Sequence, residues 1–166
     1  MRIFSKVVLI ILLCLYLSIL TKLILFKHLP LEIIISNFTF KSNDDFSWYY
    51  TSNFIPFKTI IYYLFLADIN LNIRIENLGG NVIGFAPFGF IIPLLSKKFL
   101  SFKNVAIATA CLSLLFELTQ LIFKFGSFDV DDLILNTLGG MLGYVPIKLI
   151  RLLINQKQTY SAKDAL

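Results

Sequence analysis

Acidic and amide side chains occur at helical spacing within a mostly apolar stretch, residues 116–144. Glu117 and Gln120 are three residues apart, and Asp132 and Asn136 are four apart, so each pair shares one helix face. An ionisable side chain inside a membrane is costly, so it is rare and usually has a function. Carboxylates and amides can bind a polar ligand, or a hard divalent cation through their oxygen atoms. The stretch therefore predicts a polar site within a membrane.

The composition indicates the class of protein that must position these groups. The chain has 166 residues, of which 57% are hydrophobic and 15% are charged, and its mean hydropathy is +0.80. Soluble domains are about half apolar and about a quarter charged. A small integral membrane protein is therefore predicted, with the lipid bilayer as its partner. The net charge of +5 is then expected to set topology, and no nucleic-acid partner is predicted.

Four apolar segments approach the length of about 20 residues that a spanning helix needs. They cover residues 7–26, 78–95, 105–123 and 133–150. The predicted fold is an all-α membrane protein in a single domain, residues 1–166, with about four transmembrane helices. Its long outer loop, residues 27–77, includes an apolar segment at residues 54–66 that is too short to span. That segment is predicted to be an interfacial or re-entrant helix, and the sequence leaves both forms open.

The basic residues predict the orientation of these spans. Those before the first span, between the second and third, and after the fourth all fall on one side of the membrane. Cytoplasmic flanks carry such an excess of Lys and Arg. Both termini, including a tail at residues 151–166, are therefore predicted to be cytoplasmic.

The polar groups are expected to meet at one depth. With a rise of about 1.5 Å per residue, Gln120 lies about 6 Å and Glu117 about 10 Å below the outer surface. The second and fourth spans bring their amide side chains to a similar level, so we expect a pocket that opens outwards. The predicted binding residues are Glu117, Gln120, Asp132, Asn136, Asn81, Asn77, Asp129 and Asp131. For Asp129 and Asp131 helix capping is the alternative role.

Glycines predict where the helices approach one another closely. Gly80 and Gly84 form a small-xxx-small pair in the second span, and Gly139, Gly140 and Gly143 form a glycine seam in the fourth. The polar groups could likewise serve only to bond one helix to another. The sequence leaves this purely structural alternative open.

A metal-assisted membrane enzyme acting on lipid or cell-wall precursor headgroups is a further alternative. Glu117 with Asp129, Asp131 and Asp132 could hold a divalent cation that assists phosphoryl chemistry. No histidine lies near this cluster and no phosphate-binding glycine loop is present. We therefore predict no metal site and no cofactor, and assign no catalytic residue. A small transporter is a third alternative, but without an internal repeat it would require an oligomer, whose existence the sequence leaves open.

Four motifs in order carry a family resemblance. They are NFIPFKTI (residues 53–60), NVIGFAPFGFIIPLL (81–95), ELTQ (117–120) and SFDVDDLILNTLGGMLGY (127–144). With them the chain resembles the VanZ-like family of bacterial membrane proteins. The resemblance implies a place in the bacterial plasma membrane and a link with resistance to teicoplanin-type glycopeptides. The expected role is a non-catalytic, accessory or binding one, with a lipid headgroup or a lipid-linked cell-wall precursor as the ligand.

Overall fold

Leucine and isoleucine dominate the first helix, and the apolar runs that follow form three more long helices. The computed structural model describes residues 3–26, 30, 32, 34–35 and 52–163, and these contain no strand. Within them, four helices are long and apolar enough to cross a membrane. This confirms the predicted all-α membrane fold. The helices are α1 (Ile3–Leu25), α2 (Lys58–Ile61), α3 (Leu71–Leu95), α4 (Phe102–Phe123) and α5 (Val130–Lys163).

Helix α1 touches the bundle mainly through its second half. The Tyr16 hydroxyl donates a hydrogen bond to the Gly84 carbonyl at 2.7 Å. Leu20 is buried in a cluster with Phe85 and Phe116, whose rings meet edge to face with centroids 6.2 Å apart. Most other side chains of α1 are exposed, which suits a helix surrounded by lipid.

The segment between α1 and α3 contains short helical pieces. Helix α2 continues into one π-helical turn, Tyr62–Leu66, so the helical part is too short to span a bilayer. Arg74 at the start of α3 donates to the carbonyls of Leu64 and Ala67 at 2.9 and 2.8 Å. This fixes the segment to α3. Most of the predicted outer loop before residue 52 lies outside the described residues.

Helix α3 begins earlier than the predicted span at residues 78–95. It starts at Leu71, where the Asn70 side chain accepts a hydrogen bond from the Asn72 amide at 3.2 Å. A π-helical stretch, Ile75–Gly79, joins this first turn to the apolar part. A hydropathy criterion misses these turns because their polar side chains lie at the end of the helix. Helix α5 likewise extends past residue 150.

Helices α3 and α5 touch backbone to backbone at the glycine seam. A Cβ atom on Gly139 would overlap the carbonyl of Val82, and one on Gly143 would overlap that of Ala86. Only glycine permits so close an approach. The small-xxx-small pair of α3 differs from its prediction. A Cβ on Gly80 would meet open space, and one on Gly84 would meet only a Leu20 methyl group at 3.6 Å.

Basic residues gather at the end of the bundle where α3 turns into α4. Tyr144 and Arg151 of α5 both donate to the Leu100 carbonyl, at 2.7 and 3.2 Å. The Lys148 ammonium lies 4.4 Å from the centre of the Phe102 ring.

Candidate functional site

Asp131 binds the start of α2 through its carboxylate. The side chain is fully buried, and its oxygens accept hydrogen bonds from the backbone amides of Phe57, Thr59 and Ile60. The first amides of a helix have no partner within the helix, so a carboxylate there satisfies them and complements the helix dipole. Asp131 therefore caps α2, whereas the capping alternative in the sequence concerned its own helix, α5.

Asp129 holds the same segment from a position two residues earlier, just before α5 begins. Its carboxylate accepts from Asn53 Nδ2 at 2.9 Å and from the Thr59 hydroxyl at 2.7 Å. The backbone of Asn53 also pairs with this region: its amide donates to the Phe128 carbonyl at 2.7 Å, and its carbonyl accepts from Val130 at 3.0 Å. We call these contacts of Asp129 and Asp131 with residues 53–60 the acidic clamp.

Glu117 binds the backbone of Asp129, one of the two acids of the acidic clamp. Its side chain is 2% exposed, and Oε2 accepts a hydrogen bond from the Asp129 backbone amide at 2.9 Å. Gln120, one turn further along α4, donates to the Ile24 carbonyl of α1 at 3.1 Å. Neither side chain lines the cavity described below. Both connect parts of the fold.

Asn136 lies one turn below Asp132 on α5 and connects it to α4. Its Nδ2 donates to the Ser113 hydroxyl at 2.8 Å. The side chain is 3% exposed, and within the described part of the chain its Oδ1 has no hydrogen-bond partner. A buried acceptor without a donor is costly. This position is therefore poorly satisfied by the protein alone.

A cavity of about 360 Å³ lies where α1, α3, the start of α5 and the segment around α2 meet. The Asn81 amide donates to Asp132 on one wall. Asn77, Gly80 and Gly84 share that face of α3 and also line the cavity. The polar lining consists of Thr59, Glu76, Asn77, Asn81, Asp129 and Asp132. The cavity is therefore a polar recess between otherwise apolar helices.

The comparisons with known proteins show the family to which the chain belongs. The VanZ/LLP1 family profile matches residues 7–151. The chain belongs to this VanZ family. Over 78 residues it is 40% identical to Protein VanZ of Enterococcus faecium, an alignment that covers 47% of this chain and 48% of that relative. The chain thus matches about half the length of that curated VanZ relative, and no solved structure matches it significantly.

The structure divides the binding residues predicted for this VanZ-family chain into two groups. Those that line the cavity are Asn77, Asn81, Asp129 and Asp132. Those outside it are Glu117, Gln120, Asp131 and Asn136, each of which bonds another part of the fold. We expected residues of α4 to meet those of α3 and α5 in one pocket. Instead, no residue of α4 lines the cavity, and α1 lies on that side.

Among the hydroxyl and carboxyl side chains that line the cavity, sequence reasoning missed three, Thr59, Tyr63 and Glu76. Helical spacing could have identified Glu76, because it precedes Gly80 by four residues and so shares its face. No spacing rule could have identified Thr59 or Tyr63, because they reach the cavity through the long-range acidic clamp.

The arrangement of carboxylates bears on the metal-assisted alternative. Within the described residues, no group of three or more His, Cys, Asp or Glu side chains is placed to hold a metal ion. Asp131 is directed at the amides of α2 and Glu117 at the amide of Asp129. These bonds use both oxygens of Asp131 and Oε2 of Glu117, which a shared cation would otherwise bind.

Proposed function

We propose that this VanZ-family protein lies in the bacterial plasma membrane with both termini in the cytoplasm. Lys97 and Lys98 follow α3, about 30 Å along its axis from Glu76 at the cavity. Because basic residues favour the cytoplasmic side, this orientation directs the cavity towards the outer surface. There it would be accessible from the outer leaflet and from the medium.

We infer that its role is to lower susceptibility to teicoplanin-type glycopeptides by binding rather than by catalysis. The cavity between α1 and α3 is the observation that carries this proposal. It combines polar groups such as Asp132 and Asn81 with apolar residues of α1 such as Leu23. A lining of that kind suits a lipid headgroup or a lipid-linked cell-wall precursor at the membrane surface.

The bonds of the carboxylates support a binding role. Asp131 is occupied by the amides of α2, and both oxygens of Asp129 accept hydrogen bonds from the acidic clamp. A general acid or base must instead be within reach of a substrate proton. Asp132 is the carboxylate of α5 that both lines the cavity and stays outside the acidic clamp.

The test is glycopeptide susceptibility of a sensitive Gram-positive host that expresses the protein. Wild type is compared with Asp132→Asn and with Asp68→Asn, an exposed acid outside the cavity. All three are brought to the same amount in the membrane. We expect wild type and Asp68→Asn to raise tolerance of teicoplanin more than of vancomycin, and Asp132→Asn to lose most of that effect. Unchanged tolerance with wild type would refute the proposed function.

A further inference from the structure

Among the residues described, acidic side chains line the cavity and basic ones do not. Three carboxylates line it, those of Glu76, Asp129 and Asp132, and no described Lys, Arg or His does. An excess of carboxylates in a partly enclosed recess repels phosphate and attracts cations. Among the ligands that the proposed function allows, these carboxylates therefore favour a cationic group over phosphate.

Two of these carboxylates have oxygen atoms available to bind a ligand. Asp132 is partly buried and accepts a hydrogen bond from Asn81 through one oxygen, Oδ1. Glu76 is exposed at the edge of the cavity. Asp129 differs, because both its oxygens already accept hydrogen bonds in the acidic clamp. A cation would therefore lie between Asp132 and Glu76.

The cavity also has aromatic and aliphatic walls. Tyr63 contributes a ring, and the combination of aromatic faces with carboxylates is typical of sites for organic ammonium groups. Leu20, Leu23 and Ile24 of α1 form the apolar side. Leu23 is 55% exposed on the outer face of α1, so this wall reaches the surface that lipid covers. A hydrocarbon chain could lie along it while a charged head occupies the cavity.

We propose that the cavity binds the ammonium group of an amphiphile, with Asp132 and Glu76 as its counter-charges and the leucines of α1 against its chain. This names the ligand class within the proposed function and rests on that function only for its biological role. A headgroup that carries phosphate and no ammonium is disfavoured by the same carboxylates. The ammonium could belong to a membrane lipid or to an amphiphile arriving from the medium.

Photolabelling of the purified full chain in micelles of dodecyl maltoside, a detergent without an ammonium group, tests the proposal. The probe is dodecylamine with a diazirine in its chain, and the matched control is dodecanoic acid with the same diazirine. At neutral pH the head of the amine is positive and that of the acid is negative. We expect the amine to label peptides containing residues 20–24 and 76–85 about tenfold more than the acid does, since attraction replaces repulsion.

Variants locate the charge that is responsible. Asp132→Asn and Glu76→Gln should each reduce labelling by the amine by about fivefold, whereas Asp68→Asn should not. Glu76 is exposed, so its substitution leaves the fold intact even if Asp132→Asn perturbs it. Equal labelling by amine and acid, or equal labelling of all three variants, would overturn the proposal.

Two competitors identify the source of the ammonium group. Phosphatidylethanolamine added to the micelles supplies the amine headgroup of a membrane lipid, and octylamine supplies an amine that arrives from the medium. Competition by either supports the site and names its source, and competition by neither overturns it. Binding without any change in glycopeptide tolerance would refute the proposed function and leave the site standing. Glycopeptide tolerance without ammonium binding would refute the site and leave the proposed function standing.

Discussion

Asp131 on the first turn of α5 accepts a hydrogen bond from the backbone amide of Thr59 at 2.7 Å, although 72 residues separate them in the chain. The same carboxylate binds the amides of Phe57 and Ile60. One buried side chain therefore holds the segment that forms a wall of the cavity.

Asp131→Asn should loosen the segment around α2. An asparagine offers one acceptor oxygen and brings an amide that cannot accept, so at least one backbone donor is left unsatisfied at a cost of about 1–3 kcal/mol. Hydrogen–deuterium exchange should become faster in peptides that cover residues 57–60. Asp132→Asn is the matched control and should leave these amides protected. Unchanged protection in Asp131→Asn would show that the acidic clamp does not hold this segment.

Gly143→Ala should weaken the crossing of α3 and α5. The added methyl group would overlap the Ala86 carbonyl, and overpacking of this kind costs about 1–3 kcal/mol. Gly80→Ala is the control in the same pair of helices, because a Cβ there meets open space. It should be neutral or slightly stabilising, since alanine favours a helix over glycine. Thermal unfolding in detergent compares the two, and equal melting temperatures would contradict the close contact.

Glu117→Gln and Glu117→Leu should separate the two roles considered for this residue. The glutamine side chain keeps an oxygen that can accept from the Asp129 amide, so the fold and the glycopeptide tolerance should stay close to wild type. Leucine removes the acceptor and should lower the unfolding temperature. Expression level, melting temperature and teicoplanin tolerance are the readouts. Loss of tolerance in a stably folded Glu117→Gln would instead assign the charge of Glu117 a direct role.

Asn136 and Ser113 should show a measurable but modest coupling. Their hydrogen bond joins α5 to α4 at 2.8 Å, and interhelical bonds of this kind in membranes contribute about 0.6 kcal/mol on average. A double-mutant cycle of Asn136→Ala and Ser113→Ala, measured by unfolding, gives the coupling energy. Purely additive effects would show that the bond contributes nothing to stability.

The proposed orientation predicts which end of the bundle reagents in the medium can reach. In a protein whose Cys14 and Cys111 are replaced by alanine, Asp68→Cys lies near the cavity end and Lys98→Cys at the opposite end. A membrane-impermeant maleimide on intact cells should label Asp68→Cys and should label Lys98→Cys only after lysis. The opposite pattern would place the cavity in the cytoplasm.

The sequence alone determined the class of protein and its four long apolar helices, though not all of their ends. Whether an apolar run is long enough to cross a bilayer depends only on the run itself. Four spans could therefore be predicted without knowing how they pack. Helical periodicity likewise placed Asn77 and Asn81 on one face of α3, and both line the cavity. The start of α3 at Leu71 was missed because Arg74 and Glu76 lower the local hydropathy.

Only the tertiary structure decided which polar groups meet. Spacing shows which face a side chain occupies but not which distant segment approaches that face. Asp131 could not be assigned to α2, nor Glu117 to the Asp129 amide, because both contacts depend on how the chain returns over the end of the bundle. The position of α1 was also decided by packing, and it places leucines rather than Glu117 beside the cavity. Periodicity is a property of one helix, whereas a binding cavity is a property of several.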